Sequence, residues 1–396
     1  MRRTLIIAAI VLLLAVAGVA AYFFFMRSAN VTVAPGGDTG LPVAGQGTPP
    51  SQEVTIIPPS SGTATSVSSR LVKVSEGPIV PGEIVINKGG SASSSSEVIA
   101  QYIERQSGNI FSYSTATKRS TRISNKTLPG IQSALWLPNG SFAFVRYLSG
   151  ADFSTINTYA LPSTGTNGFF LSQNLSGISL SSTNVLTLSS GVNGSVASLS
   201  RTDGSHTAEI FRTPLSSLII SFAGKNQYLA YTKPSSSLQG DAFLVDTTGH
   251  FSRIAGPLYG LTALTSPSGK WALISYTLGN TMQMRLVHTV TGESIPLPIA
   301  TIAEKCVWTN DDSSLYCGVP VNPPSSRYPD DWYQGIVHFS DRIWRIDVTS
   351  RYAQLVLDFT AETKDVLDAS SLALDPSGTT LVFLNKNDSS LWSYSF

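Results

Sequence analysis

Charge is scarce in this chain. Asp, Glu, Lys and Arg make up 13% of its 396 residues, and 26 cationic side chains against 25 anionic ones leave a net charge of +1. With no Lys/Arg cluster to break that balance, the basic footprint of a nucleic-acid binder is missing. Histidine and cysteine are rarer still, at four and two residues. His206, His250, His288 and His338 fall in different stretches, and Cys306 and Cys317 have ten residues and no histidine between them, which is not zinc-site spacing. No Gly-x-Ser-x-Gly elbow, His-Glu-x-x-His helix, Walker loop or Gly-x-Gly-x-x-Gly turn occurs. These absences predict no catalytic residue, no metal and no cofactor.

One long run has no charge at all. Thr4 to Met26 is mostly Leu, Ile, Val, Ala and Phe, bounded by Arg2-Arg3 and Arg27. Twenty-odd residues at about 1.5 Å each cross a hydrocarbon core of about 30 Å, so residues 4–26 are predicted to be a transmembrane helix. Arg2 and Arg3 keep residues 1–3 in the cytoplasm and place the remainder outside it, in a bacterial periplasm or at a cell surface. A cleaved signal peptide is the alternative, since Ala15-Val-Ala17 and Val19-Ala-Ala21 offer small-residue sites. Against it, Tyr22-Phe-Phe-Phe-Met26 prolongs the apolar run past both. No cysteine follows the run, which excludes a bacterial lipid anchor. Residues 27–69 are rich in Gly, Pro, Ser and Thr; they bury too little apolar surface to offset ordering entropy, and read as a flexible linker.

Residues 70–396 repeat themselves. Short apolar runs turn back around small or polar residues, and the turn positions Gly140, Thr183, Asn226, Gly269, Ser313 and Gly378 recur at steps of 43, 43, 43, 44 and 65. The last step is one repeat enlarged by an insertion. A period of about 40 to 45 residues carried by hairpins is that of a β-propeller blade. In the clearest repeat, Leu261 to Thr265, Lys270 to Tyr276, Met282 to His288 and Ser294 to Ile299 are predicted as strands a to d. Ile79 to Ile86 is the expected strand a of the first repeat. The last repeat stops at Phe396 after three strands. Arg70-Leu-Val-Lys-Val-Ser-Glu-Gly-Pro78 matches the strand-d exit Phe251-Ser-Arg-Ile-Ala-Gly-Pro257, so residues 71–74 are expected to complete the last blade and close the ring, leaving no open edge. The prediction is an all-β fold: a single propeller of seven four-stranded blades, with six or eight as the neighbouring counts.

The turns Ser266-Pro-Ser-Gly269 and Asp375-Pro-Ser-Gly378 resemble those of TolB-like and WD40-like propeller proteins of the bacterial envelope. The resemblance implies the ring architecture over roughly residues 70 to 396 and assigns no site residue. The chain departs from both patterns: no Gly-His and Trp-Asp pair recurs, and no small α/β domain precedes the ring.

The enlarged step holds Val319 to Phe339, an insertion between strands b and c. Long loops in compact domains are functional or disordered. Arg327, Tyr328, Asp330, Asp331, Trp332 and Tyr333 mix rings with charges as recognition surfaces do, and form the candidate interaction loop. The competing reading folds the loop over the blade edge with its rings packed. Cys306 and Cys317 lie equidistant from a turn at Asp311-Asp312, which sets them opposite each other and predicts a disulfide in an oxidising compartment; two buried free thiols are the alternative. Asp246, Asp311, Asp312 and Asp347 sit in or beside turns, where carboxylates accept from backbone N–H groups.

Together these features predict a membrane-anchored extracytoplasmic propeller that is not an enzyme and binds or scaffolds a protein, peptide or glycan. Two alternatives stay open. One is a propeller enzyme, a glycan hydrolase or lyase, whose central opening would gather carboxylates or histidines near the axis. The other is a structural spacer without a specific ligand.

Overall fold

Along Trp271–Leu278 the residues Ala272, Leu273, Ile274 and Ser275 are buried in succession. Side chains on a strand point alternately to opposite faces, so both faces of this strand are covered and a sheet must lie on each side of it. That is the arrangement in the computed structural model, which describes residues 70–89 and 97–396.

Among the described residues there are five four-stranded antiparallel sheets and one of seven strands. The first runs Ile84–Lys88, Glu97–Ile103, Ile110–Ser114, Arg119–Arg122, each strand beside the next. The seven-stranded sheet arises because Phe251–Thr265 is one strand of 15 residues. Phe251 to Tyr259 pair along Gln239–Asp246, and Tyr259 to Thr265 along Trp271–Leu278, so this strand ends one repeat and begins the next. The last sheet is Ala369–Leu374, Thr380–Asn385 and Ser390–Ser395, and Leu71–Lys73 from the other end of the domain lies beside the third of these, with Leu71 opposite Tyr394.

First strands of neighbouring sheets touch each other, which places them innermost. Six apolar clusters each span two adjacent sheets, and a seventh joins the two halves of the seven-stranded sheet. Leu273 and Leu286 pack with Trp308 and Leu315, and Tyr316 and Ile343 with Phe383 and Trp392. Val382 and Leu391 of the last sheet pack with Val85 and Tyr113 of the first, so the series closes into a ring, a β-propeller. A fully buried side chain such as Phe144 or Phe383 contributes roughly 1.5–3 kcal/mol, and it does so only while its neighbouring sheet is present.

The antiparallel order puts the a–b and c–d turns at one end of the ring, and the b–c turns and inter-sheet connections at the other. Two predicted strands are shorter than expected because proline lacks the N–H a ladder needs. Pro78 and Pro81 delay the first inner strand to Ile84–Lys88 and leave Ile79 an isolated bridge to Glu104, while Pro296 and Pro298 confine Ser294–Ile299 to Ser294–Pro296. In the turns, Asp246 accepts from the Thr248 and His250 amides at 2.8 and 3.0 Å, and Asp311 from Ser313 at 3.0 Å. Cys306 stands opposite Cys317 and is joined to it by a disulfide. The expected cytoplasmic residues 1–3, membrane helix 4–26 and linker 27–69 lie outside the described residues; among those described, no helix is long and apolar enough to cross a membrane.

Candidate active site

A short 3-10 turn, Ala303–Lys305, leads directly into the inner strand Cys306–Trp308. Its position is fixed from three sides. The Ala303 amide donates to the Thr262 hydroxyl at 3.0 Å, the Thr301 hydroxyl to the Gly318 carbonyl at 2.8 Å, and the Ser275 hydroxyl to the Thr301 carbonyl at 2.6 Å. Glu304 and Lys305, neighbours in this turn, then meet opposite fates.

Lys305 is fully buried. Its ammonium pairs with Asp341 at 2.8 Å and with Asp368, and lies 5.0 Å from the Trp332 ring centre and 5.1 Å from that of Phe339. Asp368 also accepts from the Trp332 indole N–H at 3.0 Å and the Phe339 amide at 3.1 Å. Burial pushes the Asp341 carboxyl up to about 6, with Lys305 opposing the rise and Asp368 adding to it. Charges taken from water persist only when paired and hydrogen-bonded, and here that pairing anchors the insertion to the ring.

Within the insertion, one helical turn spans Asp330–Tyr333. Tyr328 and Trp332 are buried against Met282, Ile302 and Phe339. The Trp332 carbonyl accepts from Lys386 at 2.6 Å, Asp330 accepts from the Ser236 amide, and Asp331 is occupied by Ser326 and by Arg327. Tyr333, next to the anchored Trp332, keeps 39% exposure and donates its hydroxyl to Glu304 Oε1 at 2.8 Å. The Tyr231 hydroxyl, arriving from the second strand of another repeat, donates to the same oxygen at 3.2 Å.

Glu304 is solvent-accessible, yet burial is the main cause that raises its carboxyl above the usual glutamate range, against lowering by the two tyrosines. Tyr333 repeats the combination: exposed by surface, its phenol nevertheless pushed far above its ordinary range, first by burial and then by the Glu304 charge. Partial exposure together with poor solvation is what crowding by protein atoms around a recessed group produces. The recess opens on the b–c face of the ring. Glu83, just before the inner strand of the first sheet, is another buried carboxyl at this end of the ring, besides Asp341 and Asp368. Burial lifts it from 4.5 to about 8, and although Ser371 and the nearby backbone lower it slightly, neither oxygen closes a hydrogen bond of good geometry.

The opposite mouth has no such chemistry. A cavity of about 680 Å³ there is lined by Phe222, Leu264, Trp308, Leu372 and turn residues, with no titratable side chain. The histidines also stay apart, His206 beside Ser205 and His288 against Trp271.

Of the six predicted loop residues, the structure uses Tyr328, Asp331 and Trp332 to hold the insertion down, leaves Arg327 on the surface, hydrogen-bonds Asp330 to Ser236, and brings Tyr333 to Glu304. Sequence reasoning missed Glu304, Tyr231, Lys305, Asp341, Asp368 and Glu83. The one available signal was the pair Glu304-Lys305 ahead of an inner strand in a chain so poor in charge.

No sequence family matches the chain, and no curated protein resembles it in sequence. Solved structures do resemble it in shape. Oligogalacturonate lyase from Vibrio parahaemolyticus superposes with a TM-score of 0.55 at 9% identity, covering 82% of this chain and 93% of its own. The fold is shared with that lyase. A second structure, oligogalacturonate lyase in complex with manganese, gives 0.52 at 8% identity over 80% of this chain and 98% of its own. At such identities the likeness speaks for architecture alone. It corrects one expectation: the missing motifs predict a protein that is not an enzyme, but both of these propellers are named as lyases, so a propeller without those motifs is not thereby excluded from catalysis.

The donor set does not suit manganese. Among the described residues no three His, Cys, Asp or Glu side chains come close enough to hold a metal, and the groups converging on Glu304 are phenols, which offer a divalent cation much poorer ligands than carboxylates or imidazoles.

Proposed function

We propose that this chain is a propeller enzyme acting on carbohydrate, a lyase whose acid–base group is Glu304 in the b–c opening, assisted by Tyr333 and Tyr231. The observation that carries the reading is a single carboxyl, reachable by solvent but poorly hydrated, held by two tyrosine hydroxyls on one oxygen. Its raised pKa brings it closer to neutrality, where a group can both take and return a proton.

In an elimination, the Glu304 carboxylate removes the proton beside the sugar carboxyl. The C–H electrons form the new C=C bond, and the C–O bond to the departing sugar breaks. Tyr333, hydrogen-bonded to Glu304, passes its proton to the leaving oxygen as it takes the one Glu304 has gained, so no phenolate accumulates. Its high pKa keeps it protonated for that role. Glycoside hydrolysis commonly needs two carboxyl groups across the bond, whereas one carboxyl with a tyrosine relay suffices for elimination. The lyase activity named for both solved structures supports the same choice, and oligogalacturonate is the first substrate to try.

In this reading the ring has seven blades, the strand Phe251–Thr265 serving two of them, and it stands outside the cytoplasm on a membrane anchor formed by residues 4–26. The test is to incubate the protein with oligogalacturonate and other acidic oligosaccharides and follow the ultraviolet absorbance of unsaturated ends. Absorbance should rise with the native chain and slow about 100-fold or more in Glu304→Gln. No product from any acidic oligosaccharide, or an unchanged rate in the variant, would remove the reading.

A further inference from the structure

Exposed apolar side chains are not spread evenly over this ring. Five consecutive b–c connections each raise one at the tip: Phe153, Val192, Leu238, Leu278 and Ile336, between 62% and 102% exposed. The a–b turns at the opposite end carry Asn139-Gly140, Pro267-Ser-Gly269 and Pro376-Ser-Gly378 instead, and the c–d turns there add only Val290 and Tyr352 among the described residues. Each tip has Gly, Ser, Asp or Asn on at least one side, and each is largely exposed. Isolated exposed apolar residues are ordinary; five successive ones at one end of one fold are not.

We propose that this arc of hairpin tips seats the propeller on a lipid bilayer, each tip entering the interfacial layer. Two features favour lipid over a protein partner. The tips are separate points with polar chain between them, whereas a protein interface needs a continuous dry centre; a fluid interface takes up separate apolar points and binds in proportion to the apolar area they bury. The sequence also supplies a bilayer. The uncharged run 4–26 is long enough to span one, and the 43 residues of 27–69 have a contour on the order of 140 Å, enough to let either end of the ring reach the surface at high local concentration. Charge along the arc is mixed, Asp152 and Asp330 against Lys233 and Arg327, so seating requires no anionic lipid. Because the Glu304 recess opens at the same end, a substrate for it would be carbohydrate displayed at the membrane surface; that last clause alone rests on the proposed lyase activity.

The test uses the full chain in phosphatidylcholine nanodiscs, with nitroxide labels on Leu278→Cys or Leu238→Cys and, as the control at the far end, Ser377→Cys. Labels at 278 and 238 should collide more with oxygen than with a water-soluble nickel chelate, and the label at 377 should show the reverse. Adding Phe153→Ser and Val192→Ser should return the 278 label to water. Labels at 278 and 238 as nickel-accessible as 377 would overturn the proposal, as would dipolar broadening between labels, the sign of a second copy on this face, or a chain that fails to co-elute with the discs. The readout does not depend on turnover, so failure here and failure of the Glu304 reading are separable.

Discussion

Glu304 and Tyr333 meet at 2.8 Å because their sequence neighbours are tied together. Lys305 follows Glu304, Trp332 precedes Tyr333, and Asp368 holds both, pairing with the ammonium and accepting from the indole at 3.0 Å. Each member of the exposed pair is thus positioned by the buried residue beside it.

Lys305→Ala should therefore cost more than a surface change. It removes the ammonium that pairs with both Asp341 and Asp368 and leaves the two buried carboxyls facing each other, with Lys386 the remaining cation near Asp368, a loss of about 3–5 kcal/mol. Urea unfolding of the variant against the native chain measures it, and a difference below about 1 kcal/mol would mean the cluster does not anchor the insertion.

Tyr333→Phe keeps the ring and removes the donor. The Tyr333 hydroxyl lowers the Glu304 carboxyl, so its loss should move the Glu304 titration to higher pH, as followed by carboxyl carbon-13 shifts. Turnover should fall about 100-fold with stability nearly unchanged, because this side chain is already 39% exposed.

Glu83 predicts a pH-dependent stability. Its folded pKa of about 8 lies above the ordinary 4.5. Below 4.5 the group is protonated in both states and contributes nothing. As pH rises, the unfolded chain releases its proton first, so stability falls until about pH 8 and then levels off, by roughly 5 kcal/mol at most. Glu83→Gln should remove this slope: melting temperatures at pH 5 should match the native chain, and those at pH 8 should exceed it.

Gly260→Ala should loosen the insertion. The backbone there has φ +62°, and an added Cβ would sit 2.7 Å from the Tyr328 carbonyl oxygen. The left-handed backbone alone costs about 1–2 kcal/mol with a side chain. Amide exchange across 327–339 should quicken; unchanged protection would show that Tyr328 does not rest on this glycine.

Hairpin spacing alone makes the sheets legible in the sequence. Turn positions from Gly140 to Ser313 keep a nearly constant step because each repeat must bury the same two faces, and the register of Cys306 against Cys317 needs only a turn centre at Asp311-Asp312. The recess was not legible for the opposite reason. Tyr231 and Glu304 stand 73 residues apart, and Lys305 and Asp368 63 apart. They converge only because different repeats are arranged around one axis, and no local motif encodes that distance. Trp332 illustrates the limit most clearly: its composition suits a recognition loop, and only its burial reveals an anchor.

The strand Phe251–Thr265 carries a mechanical consequence. Two successive repeats share its backbone without a break, so they cannot part unless that strand itself gives way. Where the first and last strands of the ring meet, by contrast, only Leu71, Val72 and Lys73 hold the seam by strand pairing. The ring has a weld on one side and a latch on another, and when it springs open under heat or tension, the latch is where it should start.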